Sequence, residues 1–407
     1  MSANFRWATL APALQTRNFR LFWLGQFLST IGTSLQVIAE GWLIYQVTQS
    51  TFWLGMVSFL ALLPVIPISL LGGVLIDRLP RRRLILWSQV GLMLQALLFG
   101  LLVIFGDIQL WQIILLYFLF GALLAIDHPA RRTFLVDLVA REELANAVAL
   151  NASLFNISNL IGFALGGLLI TLIGAGGTML INAATYLGPI VALAMIRVVD
   201  QGQDRDGQRL GVAMIEGIRT LWRQPLLLAT IGLMAVVGGL AWPVYGMMPA
   251  FVEEVLGRDA ISLGLLLAAG ALGALLGTAL AARLGHAHRG RTLLISAALL
   301  PCAVIALSQS RTLFWAACCM VIVGLLLLIL QSLAITLVQL HTADRVRGRV
   351  MTIYSQLHAG ADTGGNMLIG AAAGLIGLPV ALAAGSVVSL LFVAGVRLTM
   401  PQLGQLE

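Results

Sequence analysis

Charge is scarce in this sequence, and lysine is absent from it. Only 10% of the 407 residues are charged, against about 25% in an ordinary soluble domain. So little charge cannot cover a water-facing surface of this size. With 59% apolar residues and a mean hydropathy of +0.97, a soluble enzyme and a disordered chain are both excluded. Cysteine is scarce too. Cys302, Cys318 and Cys319 sit inside apolar runs without metal-ligand spacing, which excludes a disulfide scaffold and leaves them as small buried side chains. There is no G-x-x-x-x-G-K-[ST] segment, no nucleophile elbow and no metalloprotease motif, so neither an ATP-driven pump nor a hydrolase is indicated. No cofactor and no metal site is expected. Residues 1–17 lack the apolar core and cleavage site of a signal peptide. The short alternating strands of a β-barrel are missing. What remains is an all-α membrane protein that crosses the bilayer many times.

Long apolar runs are what the chain has instead. A span needs about 20 apolar residues. Twelve candidates stand at roughly 19–45, 52–76, 84–105, 110–126, 147–173, 177–196, 226–250, 260–282, 291–308, 313–336, 351–374 and 377–397. The longest polar stretch, 197–225, ends in an amphipathic piece and divides the chain into a six-span half at 1–196 and a six-span half at 226–407. The net charge of +7 does not mark a nucleic-acid surface, because the arginines lie between spans. With a cytoplasmic N-terminus, 22 of the 24 arginines fall inside, and only Arg258 and Arg311 fall outside. This asymmetry predicts an inner-membrane protein with both termini in the cytoplasm.

The halves repeat. Arg17-Asn18-Phe19-Arg20 parallels Arg223-Gln224-Pro225-Leu226, Asp77-Arg78-Leu79 parallels Ala282-Arg283-Leu284, and Leu135-Val136-Asp137-Leu138 parallels Leu337-Val338-Gln339-Leu340. Parallel six-helix repeats are a transporter architecture, with the substrate site between them near the midplane.

The segment Gly73-Val74-Leu75-Ile76-Asp77-Arg78-Leu79-Pro80-Arg81-Arg82 resembles the loop 2–3 signature of the major facilitator superfamily, with Pro80 in place of its second glycine. Arg17 to Gln26, Asp127 to Arg132 and Asp344 to Val350 resemble a narrower branch, which holds the enterobactin exporter and macrolide-efflux-like proteins. Gly162, Gly166 and Gly167 resemble the antiporter motif G-P-x-x-G-G of drug exporters, with Phe163 at the proline. The resemblance implies twelve transmembrane helices in the major facilitator fold, alternating access and export. It also implies a conformational latch at Gly73, Asp77, Arg78, Arg81 and Arg82. Drug–proton antiporters usually carry an arginine within span 4, and the apolar run Trp111 to Ile126 holds none.

The polar residues at membrane depth are the site candidates. Gln26, Ser29, Thr30, Thr33, Gln36 and Glu40 fall on one face of span 1. That face lines a cavity or makes a polar helix contact. Glu40 reads as a proton or cation site, or as an interfacial acid near the outer mouth. Tyr354, His358, Asp362 and Asn366 follow one another at i, i+4 in span 11. His358 and Asp362 form either a proton relay or a fixed helix contact. Asn151 and Asn156 in span 5, Gln331 in span 10, and Trp242 and Tyr245 around Pro243 in span 7 complete the cavity candidates. Glycines at 162, 166, 270, 273 and 277 are expected where helices of opposite halves meet.

The expected function is secondary active export, proton-coupled, of bulky amphipathic small molecules such as siderophores or drugs. The expected partners are that substrate, protons and the bilayer, with no nucleic acid, and the chain is expected to act as a monomer. A lysophospholipid flippase and an uncoupled facilitator of the same fold are the alternatives.

Overall fold

In hydrocarbon every backbone N–H and C=O must find a partner within the protein, and the helix meets that demand locally. The computed structural model describes residues 12–65, 68, 80–106, 108–196, 221, 224–283 and 288–406, and these are helical nearly throughout, with no strand among them. The helices are α1 (Arg17–Thr48), α2 (Thr51–Leu62), α3 (Arg81–Phe105), α4 (Leu110–Asp137), α5 (Leu144–Thr185) and α6 (Leu187–Met195). They continue with α7 (Pro225–Leu233), α8 (Ala260–Arg283), α9 (Arg289–Ser308), α10 (Leu313–Leu340), α11 (Asp344–Ile376) and α12 (Leu378–Thr399).

Nine helices among the described residues are long and apolar enough to cross a membrane. One of them, running from Arg141 to Met195, is far longer than a bilayer is thick. It breaks at Gly174, whose φ of +75° and ψ of 170° suit glycine alone without cost. It therefore supplies two spans. With the short α2 and the charge-bearing α11, the architecture is consistent with twelve. Large apolar side chains such as Phe105, Leu375 and Leu398 are more than four-fifths exposed, as a lipid-facing surface requires.

The chain divides into two compact units. One lies within Met1–Glu40 and Leu63–Asp206, the other within Gly41–Leu62 and Gly207–Glu407. The first unit packs α3 against α4 and α5 around Phe19, Phe22, Ile85, Phe134 and Leu193. The rings of Phe22 and Phe134 meet edge-on at 5.6 Å. In the second unit α8 lies along α10, and α2 along α11.

The small residues act inside the units. Gly162 and Gly166 of α5 close on Ile31, Ser34 and Ile38 of α1. Gly273 and Gly277 of α8 lie against the backbone carbonyls of Val321 and Leu325 in α10, and Gly270 lies against Tyr245 and Met320. This corrects the expectation that these glycines serve contacts between opposite halves. Backbone carbonyls over Gly162, Gly273 and Gly277, and side chains over Gly166 and Gly270, leave no room for a side chain, so these are packing seams.

The seventh span is interrupted. After α7 come a π-helical turn at Met234–Gly238, short helical pieces at Gly239–Ala241, Pro243–Gly246 and Met248–Ala250, and a second π-turn at Phe251–Val255. Pro243 and Pro249 lack the N–H that would continue the ladder, and the π-turns absorb the resulting shift in register.

Candidate functional site

Glu40 is wholly buried. It lies one helical turn after Gln36, so both side chains leave α1 on the same face. Gln36 Nε2 donates to Glu40 Oε1 at 2.6 Å and to Gln95 Oε1 of α3 at 3.1 Å. Gln36 Oε1 accepts from Asn182 Nδ2 of α5. Gln95 Nε2 donates onward to the Leu116 carbonyl of α4 at 3.2 Å. Tyr117 stands with its phenol beside the same carboxyl, and Glu40 Oε2 has no hydrogen-bond partner. Four helices thus converge on one carboxyl through amides and a phenol. Among the described residues no arginine or histidine pairs with it. Gln95, Tyr117 and Asn182 were not singled out in the sequence, and their only signal there is polarity inside an apolar run.

A second cluster stands nearer the start of α1. Asp127 is 1% exposed. Its Oδ1 accepts from Ser88 Oγ at 2.7 Å and from Gln89 Nε2 at 2.9 Å, while Arg131 Nη2 lies 2.5 Å from Oδ2. Arg131 Nη1 donates to Gln26 Oε1. The apolar run ends at Ile126, but the helix does not: α4 continues to Asp137 through Pro129. The fourth helix therefore carries a half-buried arginine beyond the apolar run Trp111 to Ile126, which itself holds none. A carboxylate one turn earlier and two donors from α3 let it stay there.

The third cluster is in the second unit. Gln331 Nε2 of α10 lies 2.7 Å from His358 Nε2. An amide nitrogen only donates, so His358 accepts at Nε2 and carries its proton on Nδ1. That atom is 3.5 Å from Asp362 Oδ1, close enough for electrostatics and too far for a formed hydrogen bond. Asn366 Nδ2 donates to the Asp362 carbonyl at 3.0 Å. Tyr354 is 3% exposed, and its hydroxyl has no partner. Trp242 and Tyr245 form a tilted pair with centroids 5.4 Å apart.

The remaining candidates are dispersed. Thr30 is buried, and Thr33 Oγ1 donates to the Ser29 carbonyl at 2.9 Å. Asn151 lines a cavity with Gln26 and Arg131, and Asn156 is half-buried on the same helix. Gly167 is buried. Of the latch residues, Gly73, Asp77 and Arg78 lie outside the described residues. Arg81 pairs with Asp137 at 2.7 Å, and Arg82 donates to the carbonyls of Leu193 and Ala194 at 2.7 and 3.1 Å. Unforeseen contacts tie the end of α1 to the second π-turn: Tyr45 Oη donates to Glu254 Oε1 at 2.5 Å and Gln46 Nε2 to Glu253 Oε2 at 2.9 Å. Among the described residues no group of three His, Cys, Asp or Glu could hold a metal.

Residues 7–407 match the family described as transmembrane secretion effector. The multidrug efflux pump Tap of Mycolicibacterium fortuitum is 27% identical over 396 residues, covering 92% of this chain and 94% of that protein. The enterobactin exporter EntS of Shigella boydii is 28% identical over 387 residues, covering 92% and 89%. Two solved structures share the fold. A bacterial homologue of the human lysosomal transporter Spinster superposes with a TM-score of 0.71 at 17% identity, over 95% of this chain and 97% of that one. A transporter of the POT family superposes with a TM-score of 0.76 at 10% identity, over 95% and 97%.

Proposed function

The chain belongs to the transmembrane secretion effector family of major facilitator transporters, and from that premise we propose that it is a proton-coupled antiporter exporting bulky amphipathic small molecules, siderophores or drugs among them. The names of the multidrug pump and the enterobactin exporter support export and that substrate class. The observation that carries the coupling is Glu40: a carboxyl with no cation beside it among the described residues, wholly buried within a multi-pass membrane protein. Ionisable groups at that depth mark ion pathways by default.

In this reading Glu40 exchanges its proton only in the state that lets water reach it. The amide chain from Asn182 through Gln36 reports that charge state to α3 and α5. His358 and Asp362 form the corresponding pair in the second unit, with Gln331 fixing the histidine tautomer. Substrate displaces the proton, or the proton the substrate, as the protein alternates its access. The Arg tally supports placing the monomer in the inner membrane with both termini inside, and Asp77 and Arg78 as the cytoplasmic latch.

The test uses proteoliposomes with an imposed pH gradient. Internal pH is followed while a catecholate siderophore, a macrolide or a lipophilic cation is added. One of the three should drive proton movement, and Glu40→Gln should abolish it. Proton movement that survives Glu40→Gln together with Asp362→Asn would sink the coupling assignment. Silence from all three compounds with folded protein would favour an uncoupled facilitator or a lipid flippase.

A further inference from the structure

The first unit holds a cavity of about 180 Å³ lined by Phe22, Gln26, His128, Arg131, Arg132, Asn151 and Phe155. Three helices build it: the second and third turns of α1, the last third of α4 and the first third of α5. Among the described residues its wall carries two arginines, one histidine and no carboxylate. Asp127, next to His128 in the chain, is already engaged by Ser88, Gln89 and Arg131. Donors are left over. Gln26 is 3% exposed and its Nε2 has no acceptor, and Arg131 Nε is buried without one. Both of these atoms are closed off from the cavity's free volume, whereas the Arg131 side chain keeps 17% of its surface accessible and Arg132 is exposed. Two phenylalanines supply the apolar part of the lining. An apolar cavity of about 150 Å³ accepts a benzene ring, so this one has room for a single ring bearing an acidic group.

We propose that this cavity is a recognition site for an organic anion, the carboxylate or phenolate of an aromatic headgroup, on the molecule that the chain exports. The proposal rests on the reading of the chain as an exporter and narrows its substrates to those carrying such a group. Arg132 and the partly exposed guanidinium of Arg131 supply charge and N–H donors, and Phe22 and Phe155 hold the ring. A bulky substrate seats only its acidic end here. With the N-terminus inside, the site faces the compartment from which the substrate is drawn.

The test is equilibrium binding to the purified full-length protein in lipid nanodiscs, with no gradient, so that it does not depend on transport. The probes are benzoate, benzamide and benzylammonium, which share a ring and differ in charge. Benzoate should bind at least about tenfold more tightly than benzamide, the ratio expected for one charge-assisted hydrogen bond, and benzylammonium should not bind. Arg132→Gln, at an exposed side chain, should weaken benzoate about tenfold and leave benzamide unchanged. Arg132→Lys should restore most of the loss. Asn151→Leu provides a second variant that leaves the Asp127–Arg131 pair intact, and it should also weaken benzoate selectively. Equal binding of benzoate and benzamide, no benzoate binding at all, or indifference to both Arg132→Gln and Asn151→Leu would overturn the site. Selective benzoate binding by a protein that moves no proton and no compound in vesicles would uphold the site and remove the antiporter reading instead.

Discussion

The clusters around Glu40 and Asp362 are built to different standards of completeness. Around Glu40 the side-chain amide nitrogens of Gln36, Gln95 and Asn182 are all spent, and they come from three helices that packing holds fixed. Only Glu40 Oε2 is left unpartnered there, whereas around Asp362 most of the groups belong to one helix, and Tyr354 Oη, His358 Nδ1, Asp362 Oδ1 and Asn366 Oδ1 all have no hydrogen-bond partner. A buried unsatisfied group costs about 1–3 kcal/mol. Glu40 thus sits in a preorganised socket, whereas the span 11 stripe keeps capacity in reserve for water or a ligand. Under the proposed coupling, these surroundings would suit the two acids to different work: Glu40 to hold a proton at a defined place, Asp362 to meet whatever enters.

The sharpest way to break this contrast is at Glu40. Glu40→Gln should reduce gradient-driven transport to the level of empty vesicles and leave substrate binding intact, because glutamine still accepts from Gln36 while losing the exchangeable proton. Glu40→Leu should also lower thermal stability by about 1–3 kcal/mol, since Gln36 Nε2 then loses its best acceptor. If both variants behave alike, the socket is structural only.

Smaller effects are expected in the second unit. Asp362→Asn and His358→Gln should weaken substrate binding roughly tenfold, about 1.4 kcal/mol, with little change in unfolding temperature. Gln331→Leu should weaken binding less and broaden the pH profile, because His358 would be free to change tautomer. A drop in stability with unchanged binding would make the stripe a helix contact and erase the difference between the clusters.

Much of the fold was legible because lipid imposes a simple rule on composition: apolar runs must be helices. The boundaries were less legible. Asp127, His128 and Arg131 look like loop residues in sequence, yet α4 runs through them because Ser88 and Gln89, some forty residues earlier, satisfy Asp127. The i, i+4 spacing of Asp127 and Arg131 was the available signal. Glu40 and Gln36 were legible as a pair, but Gln95 and Asn182 were not, since a lone amide in an apolar span does not reveal which helix it will face. The glycines were read correctly as close-approach sites and assigned to the wrong helices, because a small residue states that something comes near and not what.

Contacts outside both clusters sharpen the comparison by serving as controls. Tyr45→Phe removes the hydroxyl that donates to Glu254 at 2.5 Å and keeps the ring. It should cost on the order of 1 kcal/mol of stability and change the rate of transport without touching its coupling to protons. A change in proton stoichiometry would assign the second π-turn a part in coupling.

The smallest effect is expected at Asp259, in the turn that precedes α8. The Ser262 N–H donates to Asp259 Oδ1 at 3.1 Å and the Ser262 hydroxyl at 3.0 Å. The backbone bond foremost holds its carboxyl below the usual carboxylate range, against an opposing desolvation that comes next in size, with the hydroxyl bond a smaller help. A lowered folded pKa means that the carboxylate's stabilisation is present above the ordinary value near 4 and is lost as pH falls through the folded one. The group is largely exposed, so solvent trims the gain. Asp259→Ala should therefore cost about 0.5 kcal/mol or less at neutral pH, as for a weak helix cap, and the difference from the unsubstituted chain should vanish in acid. Across the pH range of the transport assay the residue keeps one charge state, so it adds nothing to a proton-driven signal. An Asp259→Ala protein with normal stability and altered proton movement would show that the turn before α8 belongs to the coupling machinery, and the two intramembrane acids would then no longer suffice to explain it.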